Sequence, residues 1–307
     1  MRIVKTVKHL HRILHEARRR GQRIGFVPTM GYFHEGHLSL MRRAKKECDL
    51  CVVSLYVNPK QFGPKEDLGR YPRDIKRDAM MIAKENVDIL FIPSDNDVYP
   101  NSYLTYIDVE NISDTLCGKF RPGHFRGVAT VVAKMLNMVE PDVMFLGQKD
   151  AQQVVVLKQM TADLNFPVSI RVIPIVREPD GLAMSSRNIH LSEEERTQAT
   201  VLFKALTDVE ERIKNGERKA SKITGSIQQL ITQQSPGKIQ YIACVDADTL
   251  EPLKILKGKV LIAIAVFFGK TRLIDNVIIP IKKPRKIQNK SWYTRLRGHW
   301  LAHREKH

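Results

Sequence analysis

Two histidines, His34 and His37, stand three positions apart in "PTMGYFHEGH" (28–37), on a turn punctuated by Gly31 and Gly36. Side chains of this type could coordinate a metal, cap a helix or donate hydrogen bonds to a phosphate. A zinc protease site needs H-E-x-x-H, with the histidines four apart on one helical face. The spacing here is shorter, and no third ligand is obvious nearby. A strand, a glycine turn and a helix start in succession instead gather free backbone N–H groups and the positive end of a helix dipole, which suits a phosphate. The competing reading is that both imidazoles only cap the helix.

Other stretches add phosphate-directed groups. "GQKDAQQ" (147–153) follows an apolar strand and opens a helix. Lys149 at that edge offers a point charge, and Asp150 is placed to cap the helix. "AMSSRN" (183–188) brings Ser185, Ser186 and Arg187 in a polar linker able to close over a triphosphate. "FGKTR" (268–272) is not a Walker A loop, because Ile264 occupies the position of the first glycine. Each segment alone is weak; together they are three phosphate-directed loops.

The elements between them form a pattern. Thr6 can cap a helix carrying Val7, Leu10, Leu14 and Ala17. "IGFV", "LCVVSLYV", "VDILFIP", "DVMFLG" and "VSIRVIPIV" read as buried strands, with helices expected over about 38–46, 74–85, 127–139 and 150–165. Apolar strands alternating with helices predict an α/β fold, a Rossmann-like doubly wound parallel sheet with ligands beyond its carboxyl edge. After Val176 the composition changes to a turn-rich linker, one long helix over 191–216 capped by Ser192, a further helix and three strands. The expected division is therefore 1–176, a smaller α+β domain over 177–280 that closes over the site, and a basic extension over 281–307.

With 307 residues, 43% apolar and 27% charged, the chain can bury two ordinary cores. The longest apolar run, Val260–Phe268, is about half a bilayer span, and the charged first 20 residues hold no signal-peptide core. Cys48, Cys51, Cys117 and Cys244 are too few and scattered for a disulfide framework. Cys48 and Cys51 make a C-x-x-C without a second ligand pair, and read as the end of a helix and the start of a strand. This favours the cytoplasm. The net charge of +17 invites a polyanion partner, but residues 281–307 supply +8 of it, leaving the body only mildly basic.

In order along the chain, "PTMGYFHEGHLSL", "VNPKQF", "YPRD", "RPGHFRGVATVV", "GQKDAQQ" and "VREPDGLAMSSRN" closely resemble the pantoate–β-alanine ligase family of the nucleotidylyltransferase superfamily, up to "RLIDN" at 272–276. By that resemblance "HEGH" is the local HIGH signature and "MSSR" stands where a KMSKS loop would be. It implies a two-step ligation. Pantoate's carboxylate attacks the α-phosphate of ATP, and the amine of β-alanine then attacks the acyl adenylate. It also implies roles: His37 donates a proton, Met30 packs near the adenylate, and the backbone around Gly147 and Val176 holds adenosine. His34, Lys149, Ser185, Ser186 and Arg187 face the phosphates, with Gly31, Gly36, Gln148, Asp150 and Met184 in the same ATP site. Gln61 and Gln153 bind pantoate, and Asn58 and Tyr71 line that cavity.

Neutral amides suit a nucleophilic carboxylate, since they bond it without a quenching ion pair. Magnesium is expected, held mainly by the ATP phosphates, and a homodimer is expected from the resemblance. No nucleic acid or membrane partner is needed. Leu146 and Gln148 depart from the aromatic and glutamate usual in the family. A different nucleotidylyltransferase would leave the paired glutamines unexplained, and an RNA-binding protein would want aromatics among its basic residues. The basic tail is the main departure. There Ser291 could cap a helix carrying Trp292, Leu296 and Trp300, for which docking, disorder or an anionic surface are the open readings.

Overall fold

The computed structural model describes residues 1–64 and 66–281, without the side chain of Asp67. The tail helix expected around Trp292, Leu296 and Trp300 lies outside the described residues.

The chain begins β1 (Arg2–Val4), α1 (Val7–Arg19), β2 (Ile24–Thr29), α2 (Glu35–Glu47), β3 (Leu50–Leu55), α3 (Ile75–Lys84) and β4 (Ile89–Phe91). It continues with α4 (Asp95–Val98), α5 (Leu116–Phe120), α6 (His124–Val139), β5 (Val143–Gly147), α7 (Ala151–Asp163) and β6 (Ser169–Ile173). These six strands form one parallel sheet, ordered β1-β4-β3-β2-β5-β6. Its strands are apolar on both faces because both are covered. Phe26, Val52 and Phe91 pack with α1 and α6, while their neighbours Val27, Val53 and Leu90 pack with α2 and α3. The short edge strand β1, three residues against β4, was not among the expected elements.

The remainder holds α8 (Glu193–Gln198), α9 (Val201–Lys214), α10 (Ala220–Gln234), β7 (Lys238–Asp246), β8 (Gly258–Phe268) and β9 (Thr271–Ile281). The three strands form an antiparallel sheet, β7-β8-β9, with α9 and α10 on its apolar face. The long helix expected over 191–216 is two. Ser192 does cap the first, accepting the Glu195 N–H (3.1 Å) while Glu195 returns the bond. The hydroxyls of Thr197 and Thr200 then bond back to the carbonyls of Glu193 (3.0 Å) and Thr197 (2.8 Å). Such back-bonding competes with the helical ladder and favours a break.

The two sheets meet along α7. Ala151 and Val155 pack against Leu261 and Ala263 of β8. This seam lies directly beneath the residues that the sequence singles out.

Candidate active site

Strands β2 to β4 step outward in one direction from β2, whereas β5 lies on its other side. Ligands of open α/β sheets bind beyond the carboxyl edge at such a reversal. A single cavity there is lined by Met30, His34, Gly36, His37, Asn58, Gln61, Tyr71, Gly147, Lys149, Asp150, Gln153, Val176, Met184, Ser185, Ser186 and Arg187. Two expected residues are not part of that lining. Gly31, with φ +84°, serves the turn, and a Cβ on it would meet Asp78 (3.0 Å) and Leu55 (3.1 Å). Gln148 turns towards β9, where its Nε2 donates to Asn276 Oδ1 (3.3 Å).

Helix α2 begins at Glu35, three residues before the position expected, so His34 is its N-cap and His37 lies in its first turn. His34 Nδ1 accepts the Gly36 N–H (3.1 Å), and His37 Nδ1 accepts the His34 N–H (3.3 Å). Gly36 is needed for this geometry, since a Cβ there would lie 2.9 Å from the His34 ring. An acceptor at Nδ1 leaves a neutral imidazole its proton on Nε2. Both rings stay neutral: burial first, then Lys149, lowers His34 to about 4, and burial with the His34 neighbour holds His37 well below 6.5. Capping and phosphate donation are thus compatible roles, one for each ring nitrogen.

A buried carboxylate supports the turn from behind. Asp78 of α3 accepts the N–H groups of Tyr32 (2.6 Å) and Phe33 (2.8 Å), fixing a backbone in which Gly31 and Tyr32 both have positive φ. Burial pushes this carboxyl up, opposed by those two N–H groups. Arg77 closes the arrangement by donating to the Phe33 carbonyl (3.0 Å).

Opposite the histidines, the Gln61 amide is held at both ends. Its Oε1 accepts from Asn58 Nδ2 (3.1 Å), and its Nε2 points at Met30 Sδ (3.1 Å). Asn58 is buried, donates also to the Gly127 carbonyl (3.0 Å), and accepts from the Lys60 N–H (3.2 Å) and Tyr99 hydroxyl (2.9 Å). Its polar atoms therefore serve Gln61 and the loop. Gln153, from α7, faces the same space.

The third wall carries charge. Lys149 Nζ lies 3.9 Å from Asp150 Oδ1, and Asp150 makes no capping hydrogen bond, contrary to expectation. A Cβ on Gly147 would meet nothing within 4 Å, so a ligand can approach that backbone closely. The linker folds back on itself where the Met184 N–H donates to the Val176 carbonyl (3.0 Å), and Ser185 Oγ accepts the Arg187 N–H (3.3 Å). Arg121 and His124 also line the cavity, though they carried no assigned role in the sequence. Arg121 pairs with both carboxylate oxygens of Glu66 (2.7 and 2.5 Å) and contacts His124 Nε2 (3.0 Å). His124 Nδ1 lies 2.8 Å from the Gln61 carbonyl, and burial with the Arg121 charge lowers its pKa to about 4. "RPGHF", quoted as a motif, was the available signal.

Among the described residues, no three His, Cys, Asp or Glu side chains cluster to hold a metal, and no helix is long and apolar enough to cross a membrane. All four cysteines are free and buried, with burial raising Cys51 to about 12.

The family model for pantoate-beta-alanine ligase matches residues 2–278. The pantothenate synthetase of Thermoanaerobacter pseudethanolicus is 52% identical over 278 residues, covering 91% of this chain and 98% of that protein. That of Acetivibrio thermocellus is 52% identical over 281 residues, covering 92% and 100%. Among solved structures, Thermus thermophilus pantothenate synthetase matches with TM-score 0.86 and 41% identity, over 90% of this chain and 99% of its own. The Francisella tularensis pantoate-beta-alanine ligase, complexed with beta-gamma ATP and beta-alanine, matches with TM-score 0.74 and 36% identity, over 91% and 97%. On a match over about nine-tenths of its length in sequence and in fold, the chain belongs to the pantoate–β-alanine ligase family.

Proposed function

We infer that the protein condenses pantoate with β-alanine to pantothenate through a pantoyl adenylate, using ATP and releasing pyrophosphate and AMP. The observation that carries this reading is the single cavity where neutral donors, cations and carboxamides face one another. The carboxylate of pantoate rests on Gln61 and Gln153 and attacks the α-phosphate in line. Charge then grows on the phosphate oxygens and the departing pyrophosphate, where fixed donors contribute most. His37 Nε2–H and His34 Nε2–H serve the α-phosphate, while Lys149, Ser185, Ser186 and Arg187 serve the pyrophosphate. Adenosine lies along Met30, Gly147, Val176 and Met184. The amine of β-alanine enters beside Gln61, attacks the acyl carbon and expels AMP.

Magnesium accompanies ATP and is held mainly by its phosphates, because Asp150 is the one carboxylate in the lining described above. The same reading takes 1–176 as the catalytic half, 177–280 as the part that closes over it, and a cytoplasmic homodimer as the working form. Pyrophosphate release from ATP should require pantoate, and AMP release should further require β-alanine. Pyrophosphate release independent of pantoate would point to another nucleotidylyl transfer. Sedimentation of the purified protein at twice the chain mass tests the dimer.

A further inference from the structure

Two adjacent polar residues of β9, Asp275 and Asn276, are buried where the antiparallel sheet meets the parallel one. Asn276 Nδ2 donates to the carbonyls of Gln148 (3.1 Å) and Lys149 (3.0 Å), and its Oδ1 accepts from Gln148 Nε2 (3.3 Å). Every polar atom of this amide is therefore spent on the short turn that presents Lys149 to the cavity. Asp275 takes Arg177 in a two-pronged ion pair (2.7 and 3.0 Å), and Arg177 also donates to the Gly181 carbonyl (3.0 Å). The same strand thus fixes the root of the linker that carries Ser185 and Arg187.

An amide is a poor choice for mere packing at this place. Its surroundings along the seam are apolar, including Leu261, Ala263 and Ile278. Burying an amide there costs free energy unless its hydrogen bonds are met, and asparagine is disfavoured in a strand interior. An aliphatic side chain would pack equally well but would release the 148–149 turn.

We propose that Asn276 is a positioning residue for Lys149, setting from the second sheet the place of the charge that meets the departing pyrophosphate. This rests on the reaction inferred above. A lysine side chain has four torsions, so its ammonium is aimed mainly by where its backbone is held. Misplacing a catalytic group by about 1 Å can cost about 10²-fold in rate.

A double-mutant cycle separates positioning from general support. With Lys149 present, Asn276→Ala should slow pantoate-dependent pyrophosphate release by about 10-fold or more, with the KM for pantoate unchanged. In a Lys149→Ala background the same change should cost no more than about twofold, because the group it aims is gone. Losses that simply multiply would overturn the proposal. Asn276→Ser, which retains one small donor, replaces the alanine variant in the cycle if that variant does not fold. ATP affinity, read by calorimetry across the same four proteins, should show the same lack of additivity without depending on turnover. A wild-type chain that binds ATP but releases no pyrophosphate with pantoate would refute the assigned reaction, while leaving the coupling measurable in ATP affinity.

Discussion

The imidazoles of His34 and His37 stand 4.1 Å apart, centre to centre, and each accepts a main-chain N–H at Nδ1. The two rings are therefore locked in one tautomer with both Nε2–H groups available. His37→Ala should slow adenylate formation by about 10²-fold or more, the scale for one lost transition-state donor. Rapid-quench measurement of pyrophosphate, with circular dichroism to verify folding, provides the check. Near-normal turnover in a folded variant would remove His37 from the mechanism.

The same burial gives stability an acid limb. Above about 6.5 both the folded and the unfolded chain hold His34, His37 and His124 neutral. Between there and about 4, the unfolded chain binds protons that the folded chain refuses at His34 and His124. Stability is therefore intact above 6.5 and falls as pH drops through this window. Thermal unfolding at pH 7.5 and pH 5 should show a lower Tm at pH 5. The adenylation rate, by contrast, should show no acid limb near 6.5, since the two site histidines are already neutral.

Gly127 on α6 packs against the loop that holds Gln61. A Cβ there would lie 2.3 Å from the Lys60 carbonyl oxygen and 2.7 Å from Gln61 Cα. Those atoms are backbone and cannot rotate away. Gly127→Ala should displace Gln61, destabilising the fold by about 1–3 kcal/mol as overpacking does and weakening pantoate binding. Denaturant melts and calorimetry with pantoate read the two effects; unchanged pantoate affinity would argue against a role for Gln61.

Lys149 and Gln153 should separate by substrate. Lys149→Ala should lower adenylate formation strongly while leaving pantoate affinity nearly intact. Gln153→Ala should weaken pantoate binding by about 1–3 kcal/mol, the cost of lost hydrogen bonds to a polar ligand. If titration shows pantoate binding lost in Lys149→Ala and retained in Gln153→Ala, the assignment is reversed.

Residues 282–307 lie beyond both the family match, which ends at 278, and β9, the last strand among the described residues, which ends at Ile281. Truncation after Ile281 keeps β9 whole and should leave specific activity within a few-fold of the full chain. A large loss, measured with saturating substrates, would give the tail a part in the reaction.

Much of the parallel sheet was legible because strands such as "CVVSL" are apolar on both faces and alternate with amphipathic helices. The loops that line the cavity were legible because glycine and lysine follow strand ends and the paired hydroxyls stand in a polar linker. What escaped depends on partners distant in sequence. Nothing near Asp78 announces that it holds Tyr32 and Phe33, 45 or 46 residues away. Asn276 meets its turn across 127 and 128 positions. The break between α8 and α9 was missed for a local reason, the threonine hydroxyls that bond back to their own helix. The early start of α2 fits the reading in which the imidazoles cap the helix, although histidine is not a usual cap residue.

Asp78 also has a consequence for local opening. Its carboxylate belongs to α3, while the N–H groups it accepts belong to the turn that leads into His34 and His37. If α3 frays, the carboxylate leaves and the turn loses what holds its positive-φ backbone. Helix and turn therefore form one cooperative unit for amide hydrogen exchange. The N–H groups of Tyr32 and Phe33 should exchange with deuterium at the rate of α3, so that a single opening event governs both the surface helix and access to the paired imidazoles.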